Sequence, residues 1–291
     1  MLALPAFNPR LDPGAHKLKE IIAGYTMPEN VNCGLSNCRT PHQQGYVVQT
    51  EDGMVTNIGS VCGKNYFGVD FTRMSRDFEQ KVKDKDNRER LEKHQHRVSG
   101  YHSRIKTLRA GDRGGDWVYQ MQAALTTPNK GVPVLIIRQL RDLQRTGIRD
   151  VMMSRPATEE EIKLDEIRLG DEIKQRPYFI SAVIGTVVGA EVLGSEDNIK
   201  KLLIDDLTLK LEEFKRVKIL ELSSTQLTRW NKYFSDVELK LTTAGRIIAG
   251  MQTLATRENL GFLEALLKED KEKAEFERFL IRLDSPPASV E

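Results

Sequence analysis

All three cysteines of this 291-residue chain lie between positions 33 and 62. That clustering constrains the fold more than any other feature. An odd number of thiols cannot pair off completely, so a disulfide framework is not what organises the chain, and short spacing points to metal instead. The pattern is Cys33-x4-Cys38-x3-His42-x19-Cys62. Zinc takes thiolate and imidazole in a tetrahedron, and short spacings let one turn deliver two ligands without ordering a long loop. Gly34, Ser36 and Asn37 accept the unusual φ of a knuckle-like turn and let backbone amides face sulfur. Cys33, Cys38, His42 and Cys62 are therefore the expected ligands of a structural Zn2+ site. The competing reading is three cysteines buried as small hydrophobes beside an exposed histidine. A catalytic zinc would need an open position and a nearby acid or base, for which Glu51 and Asp52 in a turn are the local candidates.

Cys62 must return to the point where Cys33 and Cys38 sit. Two alternating runs, Tyr46–Thr50 and Met54–Ile58, flank Glu51-Asp52-Gly53. Asp-Gly between such runs predicts a hairpin, because both residues tolerate the positive φ of a tight turn. The following Gly59–Gly68 reads as a turn entering a short helix, whose positive end favours a thiolate. Upstream, His16 to Gly24 reads as a short helix between Asp12-Pro13-Gly14 and Gly24.

Beyond Gly68 the pattern is helical. Residues 71–110 lack proline, and Leu91, His94, Val98, Tyr101, Ile105 and Leu108 recur at three- and four-residue steps. One apolar seam predicts either an antiparallel helical hairpin or a homodimer through the 91–108 helix. Further helices are expected over Asp116–Leu125 and from Pro133 to Thr146, before Gly147. Thr158 with Glu161, and Ser223 with Gln226, have capping-box spacing at the starts of two more. Tyr178–Leu193 is too short to span a membrane, contains Glu191, and reads as buried strand or core. The expected fold is mainly α: a small zinc-stabilised β-hairpin module over 1–70, a basic helical region over 71–150 and a helical domain over 151–284 with a short β segment near 178–193. A disordered tail is expected over 285–291.

Knuckle, hairpin and helix in that order resemble the treble-clef family of zinc fingers. Such a finger usually takes two ligands from its helix, whereas the positions after Cys62 are Asn65 and Tyr66; the resemblance makes His42 the replacement. Nucleases of the His-Asn-His type on this scaffold require histidines on the hairpin and helix. Neither Tyr46–Ile58 nor Val61–Phe67 contains one, which argues against that activity. The stretch Pro28–Gly68, above all Val61-Cys-Gly-Lys-Asn-Tyr-Phe-Gly68, resembles uncharacterised proteins encoded by phages and prophages, with a zinc-binding head on a helical body. That resemblance implies binding of host or viral macromolecules in the cytoplasm of a bacterial host.

Net charge is −1 over 1–70, +8 over 71–150 and −5 over 151–291. The basic middle includes Arg97, Arg104, Lys106 and Arg109 on the long helix, and Arg138, Arg141, Arg145 and Arg149 at steps of three, four and four. The second set aligns along one helical face if the helix continues through Gly147. Such density suits phosphate, because each neutralised phosphate releases condensed counterions; a solvated helix face explains the same run without a ligand. The reading is a non-catalytic, zinc-stabilised protein that binds nucleic acid through this surface. The alternative is a phage-encoded inhibitor or adaptor that binds a host defence protein, and a metal-dependent hydrolase ranks third. The N-terminus lacks the basic and apolar pattern of a secretory signal, so a cytoplasmic protein is expected, with no membrane partner.

Overall fold

The computed structural model describes residues 6–284, so the expected disorder of 285–291 lies outside the described residues. Among these, no helix is long and apolar enough to cross a membrane. Contacts group the chain into two units, one formed by residues up to Glu92 with Ile219–Asn231, the other by Lys93–Lys218 and the residues from Lys232 onward.

The first unit is built on an antiparallel sheet of order β1-β2-β3, comprising β1 (Leu18–Asn32), β2 (Pro41–Thr50) and β3 (Val55–Gly59). The expected hairpin is present as β2 and β3, with Tyr46 opposite Ile58 and Val48 opposite Thr56. The helix expected over His16–Gly24 is not: these residues open β1, which pairs Ile21 with Val48 and Gly24 with Tyr46. Register shifts after Leu18, Ile21 and Thr26 break the strand's two-residue period, and only Ile21 of β1 is buried. The open edge of β2 decided the conformation, and local propensity gave way to pairing. Leu11, Ile21, Leu35, Val48, Ile58 and Phe71 pack into one core with Cys33 and Cys62. The sheet leads into α1 (Ser60–Ala110), which breaks at Gly68, where φ of 60° and ψ of −134° suit glycine. Within this unit Ser224 of α6 (Ser224–Leu254) bonds Asp84 at 2.5 Å, and Asn231 donates to the Asn87 carbonyl at 3.1 Å.

The second unit is helical, with α2 (Gly115–Thr126), α3 (Val134–Thr146), α4 (Glu159–Leu169), α5 (Lys210–Lys215), α7 (Arg257–Leu260) and α8 (Asp270–Asp284) joining the later parts of α1 and α6. The seam on α1 is covered, with Val98, Tyr101 and Ile105 buried. Its partner is α6 of the same chain: His94 stacks on Phe234, Arg104 bonds Glu238, and the Arg113 carbonyl accepts from Gln252. Partner numbers rise together, so the helices run parallel. The antiparallel hairpin is thus corrected, and the seam is already occupied without a second copy. A seam specifies an apolar partner but carries no information about its direction.

The segment near 178–193 does contain a strand, β5 (Phe179–Thr186), paired antiparallel with β4 (Asp150–Pro156). The strand itself is not buried, with Phe179 and Val183 exposed, whereas Val187, Ala190 and Val192 later in the same segment are core residues. Part of this ribbon stays open: Phe262 packs against Gly185 at its end, but Phe179 and Val183 remain exposed, and composition alone cannot show which side chains are covered.

Both expected capping boxes form. Thr158 accepts from the Glu161 amide while Glu161 accepts from the Thr158 amide, and Ser223 and Gln226 exchange the same pair of bonds. Glu161 also makes two bonds to the Arg155 guanidinium, at 2.6 and 2.9 Å. Arg155 first, and the Thr158 amide second, hold its carboxyl down to about 2. A carboxyl with a lowered folded-state pKa stabilises above its unfolded value, near 4.3, and loses that contribution as pH falls toward 2. Glu161→Gln should therefore weaken hydrogen-exchange protection of α4 at pH 7, and the gap from wild type should close by about pH 2.

Candidate metal centre

β1 ends at Asn32 and delivers Cys33; the Cys33 amide donates to the Thr40 carbonyl at 3.1 Å, closing the 33–40 loop. Gly34 is required there, because a Cβ would lie 2.1 Å from Thr56 Oγ1. Arg39 takes a positive φ of 56°, turning the chain behind Cys38. β3 ends at Gly59, and Cys62 follows in the first turn of α1. Gly63 lets that turn approach the core, since a Cβ would meet the Phe71 ring at 2.3 Å.

The result is three sulfurs within 4.8 Å of one another, with Cys38 and Cys62 Sγ 3.2 Å apart. A tetrahedral zinc with bonds near 2.3 Å needs sulfurs about 3.8 Å apart, a spacing this range brackets. Backbone groups of Leu35 and Gly59 hydrogen-bond Cys33 sulfur, and that of Thr40 bonds Cys38. Amides two residues beyond each cysteine are what a knuckle supplies to a thiolate. Burial pushes the Cys62 thiol up to about 12, helped by its two sulfur neighbours, and burial likewise raises Cys33. At Cys38 burial works the same way but is outweighed by bonds from Thr40 and the other thiols, which bring it to about 7. Three adjacent sulfurs cannot all ionise on their own. A divalent cation among them removes that penalty, so the cluster can bind a metal ion.

His42 stands beside this cluster and outside it. It is half-buried on β2, its ring packed over Gly59, the residue whose backbone bonds Cys33 sulfur. Its Nδ1 lies 3.1 Å from the Thr40 carbonyl and its Nε2 2.6 Å from the Tyr25 hydroxyl. A carbonyl only accepts, so Nδ1 carries the proton and Nε2 accepts from Tyr25. Asn57 Nδ2 donates to the Tyr25 oxygen at 3.2 Å and to the Asn32 carbonyl at 2.9 Å. Neither Tyr25 nor Asn57 carries a sequence signal for this role, because Tyr25 is positioned only by the pairing of β1 with β2. Asn57 is buried because both faces of β3 are covered, and a buried amide needs partners.

The basic residues divide. Arg138, Arg141 and Arg145 are exposed on α3, opposite buried Ile136, Ile137, Leu140 and Leu143. Gly147 closes α3 in the left-handed region with φ of 70°, so Arg149 lies beyond the helix and leaves the row. On α1, Arg104 pairs with Glu238 and Arg109 with Asp116, whereas Arg97 and Lys106 have no ion pair among the described residues. No protein-family model, curated protein or solved structure matches the chain.

Proposed function

We propose that Cys33, Cys38 and Cys62 hold a structural Zn2+ ion that fixes the first unit, and that the chain is a non-catalytic nucleic-acid-binding protein. The observation that carries the metal is the convergence of three sulfurs, two from the 33–40 loop and one from the first turn of α1, each approached by backbone donors or the start of a helix. The ligand surface is the outer face of α3. Arg138 and Arg141 engage no acid among the described residues, and Arg145 pairs with Asp142 only at 3.4 Å on an exposed turn. An exposed pair of that kind contributes little and yields readily to phosphate.

Duplex or single-stranded nucleic acid should bind, with an affinity that falls steeply with salt. Each phosphate contact contributes about 0.9 to the slope of log affinity against log salt for duplex DNA. Replacing Arg138, Arg141 and Arg145 by glutamate should lower that slope by about 3. Fluorescence anisotropy at 50 to 200 mM salt measures it, and absence of binding at the lowest salt excludes the reading.

The second reading, a phage-type factor that binds a host protein, is favoured by the ribbon. Met152, Phe179 and Val183 expose about half their surface, and Leu164 and Ile167 of α4 are more exposed still. Apolar side chains gathered in this way suit a partner protein with an apolar surface.

A further inference from the structure

A zinc ion held by three thiolates has a fourth position to fill, and among the described residues no further histidine, cysteine or carboxylate joins the three sulfurs. We propose that His42 completes the site by exchange: on metal binding its Nε2 leaves the Tyr25 hydroxyl and ligates the metal, so that Tyr25 and the metal compete for one nitrogen. The proposal rests on the zinc reading above.

Three observations carry it. First, the tautomer is already correct. Metal-bound histidines ordinarily donate their other ring N–H to a carbonyl or carboxylate, which fixes the lone pair on the ligating nitrogen. His42 makes that bond now, from Nδ1 to the Thr40 carbonyl, which places the lone pair of the ring on Nε2. Second, the anchor belongs to the cluster. The Thr40 carbonyl accepts from the Cys33 amide, and Thr40 bonds Cys38 sulfur through both backbone and side chain, so His42 turns about a residue bonded to two of the three cysteines. Third, the ring is kept close by glycine. It lies against Gly45 and Gly59, paired across β2 and β3, where a Cβ would come within 2.9 Å and 3.3 Å of it, so a side chain at either position would push His42 away from the strand that leads to Cys62. Tyr25 does not lose all its partners when released, because Asn57 still donates to its oxygen.

The exchange also links the metal to β1. Tyr25 is paired with Gly45 in the sheet, and its bond to His42 is one of the side-chain ties between that edge strand and β2. Loading the metal trades this tie for a ligand bond.

The test uses full-length protein loaded with Co2+, whose visible bands report the ligand set, together with zinc affinity by competition against a chelator. Wild type should bind one metal per chain with the spectrum of a tetrahedral three-sulfur, one-nitrogen site. His42→Ala should bind on the order of a hundredfold more weakly, with shifted bands that added imidazole restores. Tyr25→Phe, which keeps the ring and removes the competitor, should bind about three- to tenfold more tightly with wild-type bands. If His42→Ala keeps wild-type affinity and spectrum at one metal per chain, the exchange is wrong while the three-cysteine site stands. If Tyr25→Phe does not tighten binding, the competition is wrong. Absence of metal binding by wild type overturns both this inference and the zinc reading.

Discussion

Cys62→Ser should abolish metal binding and unfold the first unit while the second remains folded. The apolar cluster that packs the sheet around the cysteines is small: Leu11, Ile21, Leu35, Val48, Ile58 and Phe71 are its buried side chains besides Cys33 and Cys62. A core of that size supplies only about 3 to 5 kcal/mol on its own. A metal at a thousand times its dissociation constant adds about 4 kcal/mol, so its loss takes away most of the margin. Hydrogen exchange reads the outcome by region: amides of β2 and β3 should lose protection, and those of α3 and the later part of α6 should keep it. Chelation of wild type should reproduce the pattern, and acid should approach it. Metal must displace protons from Cys33, whose thiol is raised, and from Cys62, held at about 12. Affinity therefore falls by about tenfold per pH unit for each proton displaced. If β2 and β3 stay protected after the metal is gone, the ion does not hold the unit together.

What the sequence revealed and what it concealed have physical reasons. The cysteines were legible because their number and confinement leave few chemistries open, and the hairpin because Asp52-Gly53 allows few backbones; Gly53 takes a φ of 86°. The capping boxes at Thr158 and Ser223 were legible because a cap is a bond between residues three apart. β1 was concealed because its bulges remove the period by which strands are recognised, and a strand of this kind exists only by virtue of the neighbour it pairs with. The direction of α6 along α1 was concealed because a seam specifies apolarity and nothing else. His42 shows the same limit within the site. Spacing brings it near Cys33 and Cys38, but its bond to Tyr25 depends on the pairing of β1 with β2, which local sequence does not encode. Arg149 shows the converse: Gly147 was correctly read as a helix end, and the row of four arginines needed it not to be one.

Phe234→Ala should destabilise the second unit by about 3 to 5 kcal/mol, the cost of emptying a large aromatic from a packed interior. The ring is 3% exposed, and its aromatic neighbours include His94 stacked at 4.3 Å, Phe214 at 4.6 Å, Tyr233 at 5.1 Å and Tyr101 at 6.3 Å. These come from α1, α5 and α6, so one side chain joins three elements, and the cavity left behind cannot close by the movement of any one of them. His94 gives the substitution a second signature. Burial foremost, and then the charge of Arg97, lowers its pKa below the ordinary value near 6.5. The unfolded chain then binds a proton that the folded chain refuses, so this contribution is complete above about pH 6.5 and is lost as pH falls. Removing Phe234 lets water reach the imidazole and lifts its pKa back toward that value. Urea unfolding at pH 8 and pH 5 should therefore show a large stability loss at both values in Phe234→Ala, with a smaller difference between the two than wild type shows. A loss at pH 8 with an unchanged pH dependence would mean that the rest of the cluster, without Phe234, is enough to keep His94 neutral.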